Sequence, residues 1–240
     1  MELVFEHPYT VAPSVADAGG RLSLHDCFGL FMDIASEHAE ALGVGLDAMT
    51  KRGLFWLTVK TQIEFFGRPR IMDRVTLRTW PEAPGRVRAL RSYQLLLGDE
   101  VLIAGKTEWA VLNTATKQFT PMEEVYPPEL CFDRPSASPG PFARVPDVEE
   151  GWETFGEYRV RSTDIDVGGH CNNAAYVRAL LGGLTNAEIR ALHVRRMDVI
   201  FRSPCYEGET LVFQRKQAEP GMVFRIVKAD GTTALLAKIQ

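Results

Sequence analysis

The chain lacks any apolar run near the roughly twenty residues needed to span a bilayer. It is poor in cysteine. Cys27, Cys131, Cys171 and Cys205 include no C-x-x-C pair, and none stands at zinc-finger spacing from a histidine. Free thiols of a reducing compartment are therefore expected in place of disulfides. The five histidines, His7, His25, His38, His170 and His193, form no H-x-x-x-H pair, so no metal is expected. G-x-G-x-x-G and P-loop motifs are missing, and no cofactor is expected. G-x-S-x-G is missing too, which excludes the usual nucleophile elbow of an α/β-hydrolase. Met1 to His7 has no basic stretch leading into an apolar core, so no secretory signal is read and a cytoplasmic location is expected. Charge of one sign is also lacking. With 27 Lys and Arg against 31 Asp and Glu, the net charge of −4 gives no general pull toward nucleic acid or an anionic membrane.

What is present is a globular composition, 45% hydrophobic and 24% charged over 240 residues. Leu3 to Val11 reads as a strand. Leu22 to Leu42 carries a helical pattern, with Leu24, Phe28, Phe31, Ile34, Ala35, His38 and Leu42 recurring every three or four positions. Ser23 is its expected N-cap and Gly43 its stop. Strands are expected over 55–66, 75–80, 87–97 and 101–112, with Gly98-Asp99 as a hairpin turn. Residues 113–151 are rich in proline, with Pro121, Pro127, Pro128, Pro135, Pro139, Pro141 and Pro146. This stretch is too long for a hairpin loop and reads as a linker. Val125, Tyr126, Leu130 and Phe132 are apolar enough to cover a sheet face.

The pattern then repeats. A strand is expected over 154–162, a helix from about Cys171 to Leu181 ended by Gly182-Gly183, and strands over 193–201, 210–217, 222–229 and 233–239. Asp17-Ala18-Gly19-Gly20-Arg21 matches Asp166-Val167-Gly168-Gly169-His170. Ile63-Glu64-Phe65 with Asp73 matches Val199-Ile200-Phe201 with Glu209 at the same internal spacing. Two matches in the same order point to duplication.

The chemistry-bearing stretch runs from Asp164 to Val177. Gly168 and Gly169 let a ligand approach the backbone. Asn172 can cap the helix that follows. His170 and Asn173, three apart, would share a face on a helix. A carboxylate (Asp166), an imidazole and an amide therefore converge on a helix N-terminus, where free N–H groups favour developing negative charge. Asp166 can activate water or attack directly, and His170 can position substrate or move protons. A polar strand-to-helix turn with a capping Asn is the purely structural alternative.

The run D-x-D-V-x-x-H-x-N-N-x-x-Y, from Asp164 to Tyr176, resembles the signature of acyl-acyl carrier protein thioesterases. The resemblance implies an α+β tandem (double) hotdog, two antiparallel sheets each wrapped around a central helix. The expected parts are an N-terminal hotdog at 1–114 on the acyl-chain side, a linker at 115–151 and a catalytic C-terminal hotdog at 152–240. It implies release of fatty acid from acyl carrier protein in fatty acid biosynthesis. Asp166 and His170 would be catalytic, and Gly168, Gly169, Asn172 and Asn173 would bind substrate. Cys205 matches a plant cysteine, and either a Cys205–His170 nucleophile pair or an inert thiol is open. Two positions depart from the family pattern: Gly168 replaces an Asn and Pro204 a Glu. In the first half Arg21 stands where His170 stands, so chemistry is expected in the second half only. Phe28, Phe31, Met32 and Ile34 would line an acyl tunnel or simply pack the core.

The expected partner is an acidic acyl carrier protein. Clusters at Arg68, Arg70 and Arg74, at Arg86, Arg88 and Arg91, and at Arg195, Arg196 and Arg202 could dock it or be ordinary strand faces. Hydrolysis of acyl-CoA, acyl binding without hydrolysis, and, ranked last, a hydratase are the alternatives. Oligomeric state stays open, a homodimer included.

Overall fold

The computed structural model describes residues 3–145 and 150–240, so Pro146 and the first two residues lie outside the described residues. Two compact units divide at Gly140 and Pro141, inside the proline-rich stretch.

The N-terminal unit contains strands β1 (Phe5–Thr10), β2 (Leu54–Phe65), β3 (Arg74–Pro81), β4 (Ala89–Leu97) and β5 (Glu100–Asn113), with helices α1 (Asp26–Ala41) and α2 (Leu46–Lys51). Its sheet runs β1-β3-β4-β5-β2, antiparallel throughout. Cys27, Phe28, Leu30, Phe31, Ile34, Ala35 and His38 form the buried stripe of α1, the spacing of one helical face. Phe31 stacks on Tyr93 of β4 at 4.6 Å. That approach needs Gly105 on β5, where a Cβ would lie 2.7 Å from the Gln62 carbonyl and 2.9 Å from the Phe31 ring. The helix starts later than the apolar period suggests. His25 is its backbone cap, but Ser23 Oγ still accepts the Asp26 N–H at 3.1 Å. Gly43, at φ +72, ends it as expected.

The proline-rich stretch belongs in large part to this unit. Met122, Val125, Tyr126 and Leu130 join Leu42, Val44, Met49, Leu54, Ala89 and Val111 in one core cluster, with Phe132 against it. Residues 135–140 strap the sheet face opposite α1. Trp80 Nε1 donates to Pro135 O, Ser138 Oγ donates to Glu64, and Lys106 donates to Gly140 O.

The C-terminal unit contains β6 (Glu153–Arg159), α3 (Asn173–Gly182), α4 (Asn186–Ala191), β7 (Arg196–Phe201), β8 (Thr210–Gln217), β9 (Met222–Lys228) and β10 (Thr233–Ile239). Its sheet order, β7-β10-β9-β8-β6, is antiparallel and repeats the connectivity of the first. The helix of the second copy is shorter, 10 residues against 16. Ala175, Tyr176, Val177, Leu180 and Leu181 are its buried face. The two six-residue helices, α2 and α4, were not expected, being too short for a periodic signal. Among the described residues no helix is long and apolar enough to cross a membrane.

Candidate active site

The site lies on the turn joining β6 to α3. A 3-10 turn over Ser162–Asp164 opens it. The Asp164 carboxylate is 2% exposed and organises the turn. It accepts the Tyr158 hydroxyl at 2.7 Å, the Arg161 N–H at 2.9 Å and Arg178 Nη2 at 2.8 Å. Burial pushes its pKa up, but those hydrogen bonds together outweigh it and hold the carboxyl below its ordinary range. Its carbonyl accepts the Asn172 N–H at 2.8 Å. Asp164 was read as part of the motif without a role; its partners Tyr158, Arg161 and Arg178 lie nearby in the chain but form no pattern that singles them out.

Next comes a tight turn. Ile165 and Cys171 bridge, the Asp166 N–H donates to His170 O at 3.1 Å, and the Gly169 N–H returns to Asp166 O at 3.0 Å. Gly169 has φ +74, which an L side chain rarely adopts. The Gly168 N–H donates to Asp166 Oδ1 at 2.8 Å and fixes the carboxylate. His170 Nδ1 lies 3.8 Å from that same oxygen, and the two side chains are 26% and 27% exposed. The structure therefore brings Asp166, Gly168, Gly169 and His170 together.

Of the two amides, Asn173 sits differently from expectation and Asn172 caps the helix as expected. α3 begins at Asn173, so His170 precedes the helix and the shared-face argument does not apply. The bridge at Cys171 holds the chain extended there and delays the helix. Asn172 is the N-cap, its side-chain oxygen committed to the Ala174 N–H at 2.8 Å.

Cys205 is also placed differently from a nucleophile. It is 0% exposed, and burial raises its thiol pKa despite the Tyr176 hydroxyl beside it; a thiolate is thereby disfavoured. Its carbonyl accepts the Cys171 N–H at 2.8 Å and anchors the turn. The neighbouring Cys171 thiol is pushed up to about 12 by burial first and by Asp164 next. Glu209 pairs with Lys228 at 3.1 Å. Among the described residues no group of three or more His, Cys, Asp or Glu side chains could hold a metal.

The first half contains the same turn. Ala16 and Leu22 bridge, the Asp17 N–H donates to Arg21 O at 2.7 Å, the Gly20 N–H to Asp17 O at 2.9 Å and the Gly19 N–H to Asp17 Oδ1 at 2.8 Å. The Leu22 N–H meets Pro69 O as the Cys171 N–H meets Cys205 O, so Arg68 is the counterpart of Pro204. Arg68 Nη1 lies 2.5 Å from Asp17 Oδ2 and also donates to Leu22 O. Burial raises the Asp17 pKa, but Arg68 and the Arg21 and Gly19 N–H groups bring it below normal. The first copy is thus an ion-paired structural turn. In the second, a proline at the equivalent place brings no cation to Asp166.

The arginines of the three clusters are engaged differently. Arg68 is tied to Asp17, Arg196 to Asp198 at 2.6 Å, and Arg91 is buried against His38 at 2.9 Å. Arg88 lies over the Phe119 ring. Arg70, Arg74, Arg86, Arg195 and Arg202 stay exposed.

Comparison with known proteins agrees with this architecture. The acyl-ACP thioesterase N-terminal domain family matches residues 2–128 and the corresponding C-terminal domain family residues 149–240. The chain is 22% identical over 223 residues to oleoyl-acyl carrier protein thioesterase 2 of Arabidopsis thaliana, covering 85% of this chain and 60% of that one. It is 24% identical over 203 residues to an acyl-[acyl-carrier-protein] hydrolase of Cuphea viscosissima, covering 79% and 49%. It therefore spans about half to three-fifths of the length of these plant relatives. The fold matches an acyl-ACP thioesterase from Bacteroides thetaiotaomicron with a TM-score of 0.81 at 17% identity, over 98% of this chain and 96% of that one. The 12:0-ACP thioesterase from Umbellularia californica matches with a TM-score of 0.81 at 17% identity, over 100% and 97%. With both domain families in order and the tandem hotdog in place, the chain belongs to the acyl-ACP thioesterase family.

Proposed function

We propose that the protein hydrolyses the thioester of a fatty acyl-acyl carrier protein, releasing free fatty acid and the carrier's thiol. One observation carries this reading. Asp166 is pinned by the Gly168 N–H and lies 3.8 Å from His170, both side chains being partly open to solvent. The equivalent Asp17 is instead tied to Arg68.

The chemistry needs a base, an electrophile to polarise the carbonyl, and a proton for the leaving sulfur. Asp166 takes a proton from water as the water oxygen bonds to the thioester carbon. His170 polarises the carbonyl oxygen as it gains charge. Collapse of the tetrahedral intermediate breaks the C–S bond, and the proton passes to the departing thiolate. Gly168 and Gly169 keep the backbone side of the site low, so the pantetheine arm can approach. Asn172 and Asn173 form the start of α3 beneath it. Cys205 serves as an anchor for the turn. The carrier protein is the proposed partner, with a homodimer as a further expectation. An acyl-CoA presents the same thioester and arm.

The test is a panel of acyl-acyl carrier proteins and acyl-CoAs, read as free thiol over time. Release from carrier-bound substrates above that from CoA esters supports the reading. Release from neither, with acyl thioester still bound, replaces it by a binding role.

A further inference from the structure

The turn that carries Asp166 has an exposed rim that its duplicate in the first half does not share. The two copies align residue for residue here. The Gly208 N–H donates to Val160 O at 2.9 Å as the Met72 N–H donates to Val11 O at 2.9 Å. The Val160 N–H meets Glu209 O as the Val11 N–H meets Asp73 O. Val160 therefore matches Val11, so Arg159 and Arg161 stand where the first copy has Thr10 and Ala12. Val167 likewise stands where the first copy has Ala18. The Tyr206 N–H donates to Glu209 Oε2 at 2.9 Å as the Arg70 N–H donates to Asp73 Oδ2 at 2.7 Å, which matches Tyr206 with Arg70.

Because the two turns share one backbone, folding does not require the side chains in which they differ. Val167 is 80% exposed and Tyr206 50% exposed. Arg159 and Arg161 are exposed too, and among the described residues neither has an ion-pair partner. Arg178 gives Nη2 to Asp164, yet its side chain is still 54% exposed. Apolar side chains bordered by cations have the anatomy of a protein contact, in which Tyr and Arg are favoured. A second copy of this chain fits poorly, because a two-fold contact sets a patch against itself and would bring like charges together. An acidic surface fits well, and the carrier protein of the proposed reaction presents one. Coenzyme A brings no folded surface to meet Val167 and Tyr206.

We propose that this rim is the surface on which the acidic carrier protein docks, with Val167 and Tyr206 as its apolar centre and Arg159, Arg161 and Arg178 as its cationic border. The inference rests on the acyl-thioester reading above and names the surface that meets its partner. None of these five residues belongs to the arginine clusters read from the sequence. Cations at such a border act chiefly on encounter and on salt dependence, and the apolar centre on residence.

The test is calorimetric titration of the full chain with apo-acyl carrier protein, which carries no pantetheine arm and nothing to hydrolyse. Thermal midpoints confirm that each variant folds. R159E/R161E should weaken binding at least about tenfold, with a shallower salt dependence than the parent. V167S/Y206S should weaken it at least about fivefold. R70E/R74E reverses two exposed arginines of the counterpart loop, so it changes the net charge equally, and should bind as the parent does. Unchanged binding in R159E/R161E or in V167S/Y206S overturns the inference, as does an equal loss in R70E/R74E or the absence of carrier binding by the parent. Self-association of the parent that V167S/Y206S abolishes would overturn it in favour of a second copy. Thiol release from acyl thioesters, measured separately, tests the hydrolytic reading, so the two failures are distinct.

Discussion

Asp17 and Asp166 occupy the same turn, and one residue decides what each does. Arg68 ties up the first; Pro204 leaves the second to face His170. Replacing Asp166 or His170 with Ala is expected to lower thiol release by about 100-fold or more, the usual contribution of a positioned acid or base, with the thermal midpoint unchanged. Equal turnover in both variants would refute their assignment. A sharper test copies the first half's lock into the second. P204R should pair with Asp166 and cut turnover at least about tenfold, partly relieved at high salt, which screens exposed ion pairs. Undiminished turnover in P204R would show that charge at this position does not govern the carboxylate.

At the scale of elements, the turn is held by its clamp and its cap. Asp164→Asn removes a carboxylate that accepts three hydrogen bonds and should cost about 2 kcal/mol, read by chemical denaturation. Asn172→Ala should cost about 1 kcal/mol through the lost cap on α3, and Gly169→Ala about 1–2 kcal/mol through its left-handed backbone. The clamp also sets a pH dependence. The folded-state pKa values of Asp164 and Asp17 are below their unfolded values. Their stabilisation is therefore complete above the unfolded value of about 3.9 and is lost as pH falls through the folded values. The Asp164→Asn variant should lose less stability than the parent as pH falls below about 3.9. A parallel decline in both would argue against it.

Across the whole molecule, the duplication is the main organising fact. It was legible because Asp17 to Arg21 and Asp166 to His170 kept both spacing and glycines, and because Asp73 and Glu209 kept their place in matching loops. Thr210–Gln217 and Thr233–Ile239 fall where alternation and turn residues put them. The Arg68 partner of Asp17 was not legible, since it depends on a pairing between residues far apart in the chain. Nor was the delayed start of α3, which follows from the Ile165–Cys171 bridge. The proline-rich stretch read as a linker because proline marks irregular backbone, and its apolar side chains, expected to cover a sheet face, are core. Tyr126 packs against Trp56 and Phe132. Tyr126→Ala should therefore cost about 3 kcal/mol, as for a large core residue, seen as a lowered thermal midpoint. A change near zero would mean that this stretch is mere tether.

The paired turns carry one more consequence. The loop of Asp17 has the same shape although Arg68 engages its carboxylate, so that shape answers first to folding. Any chemistry at Asp166 would be laid over a bend the sheet already requires. A screen that rewards only soluble protein should therefore defend both aspartates alike, while one that rewards product would single out the later of the two.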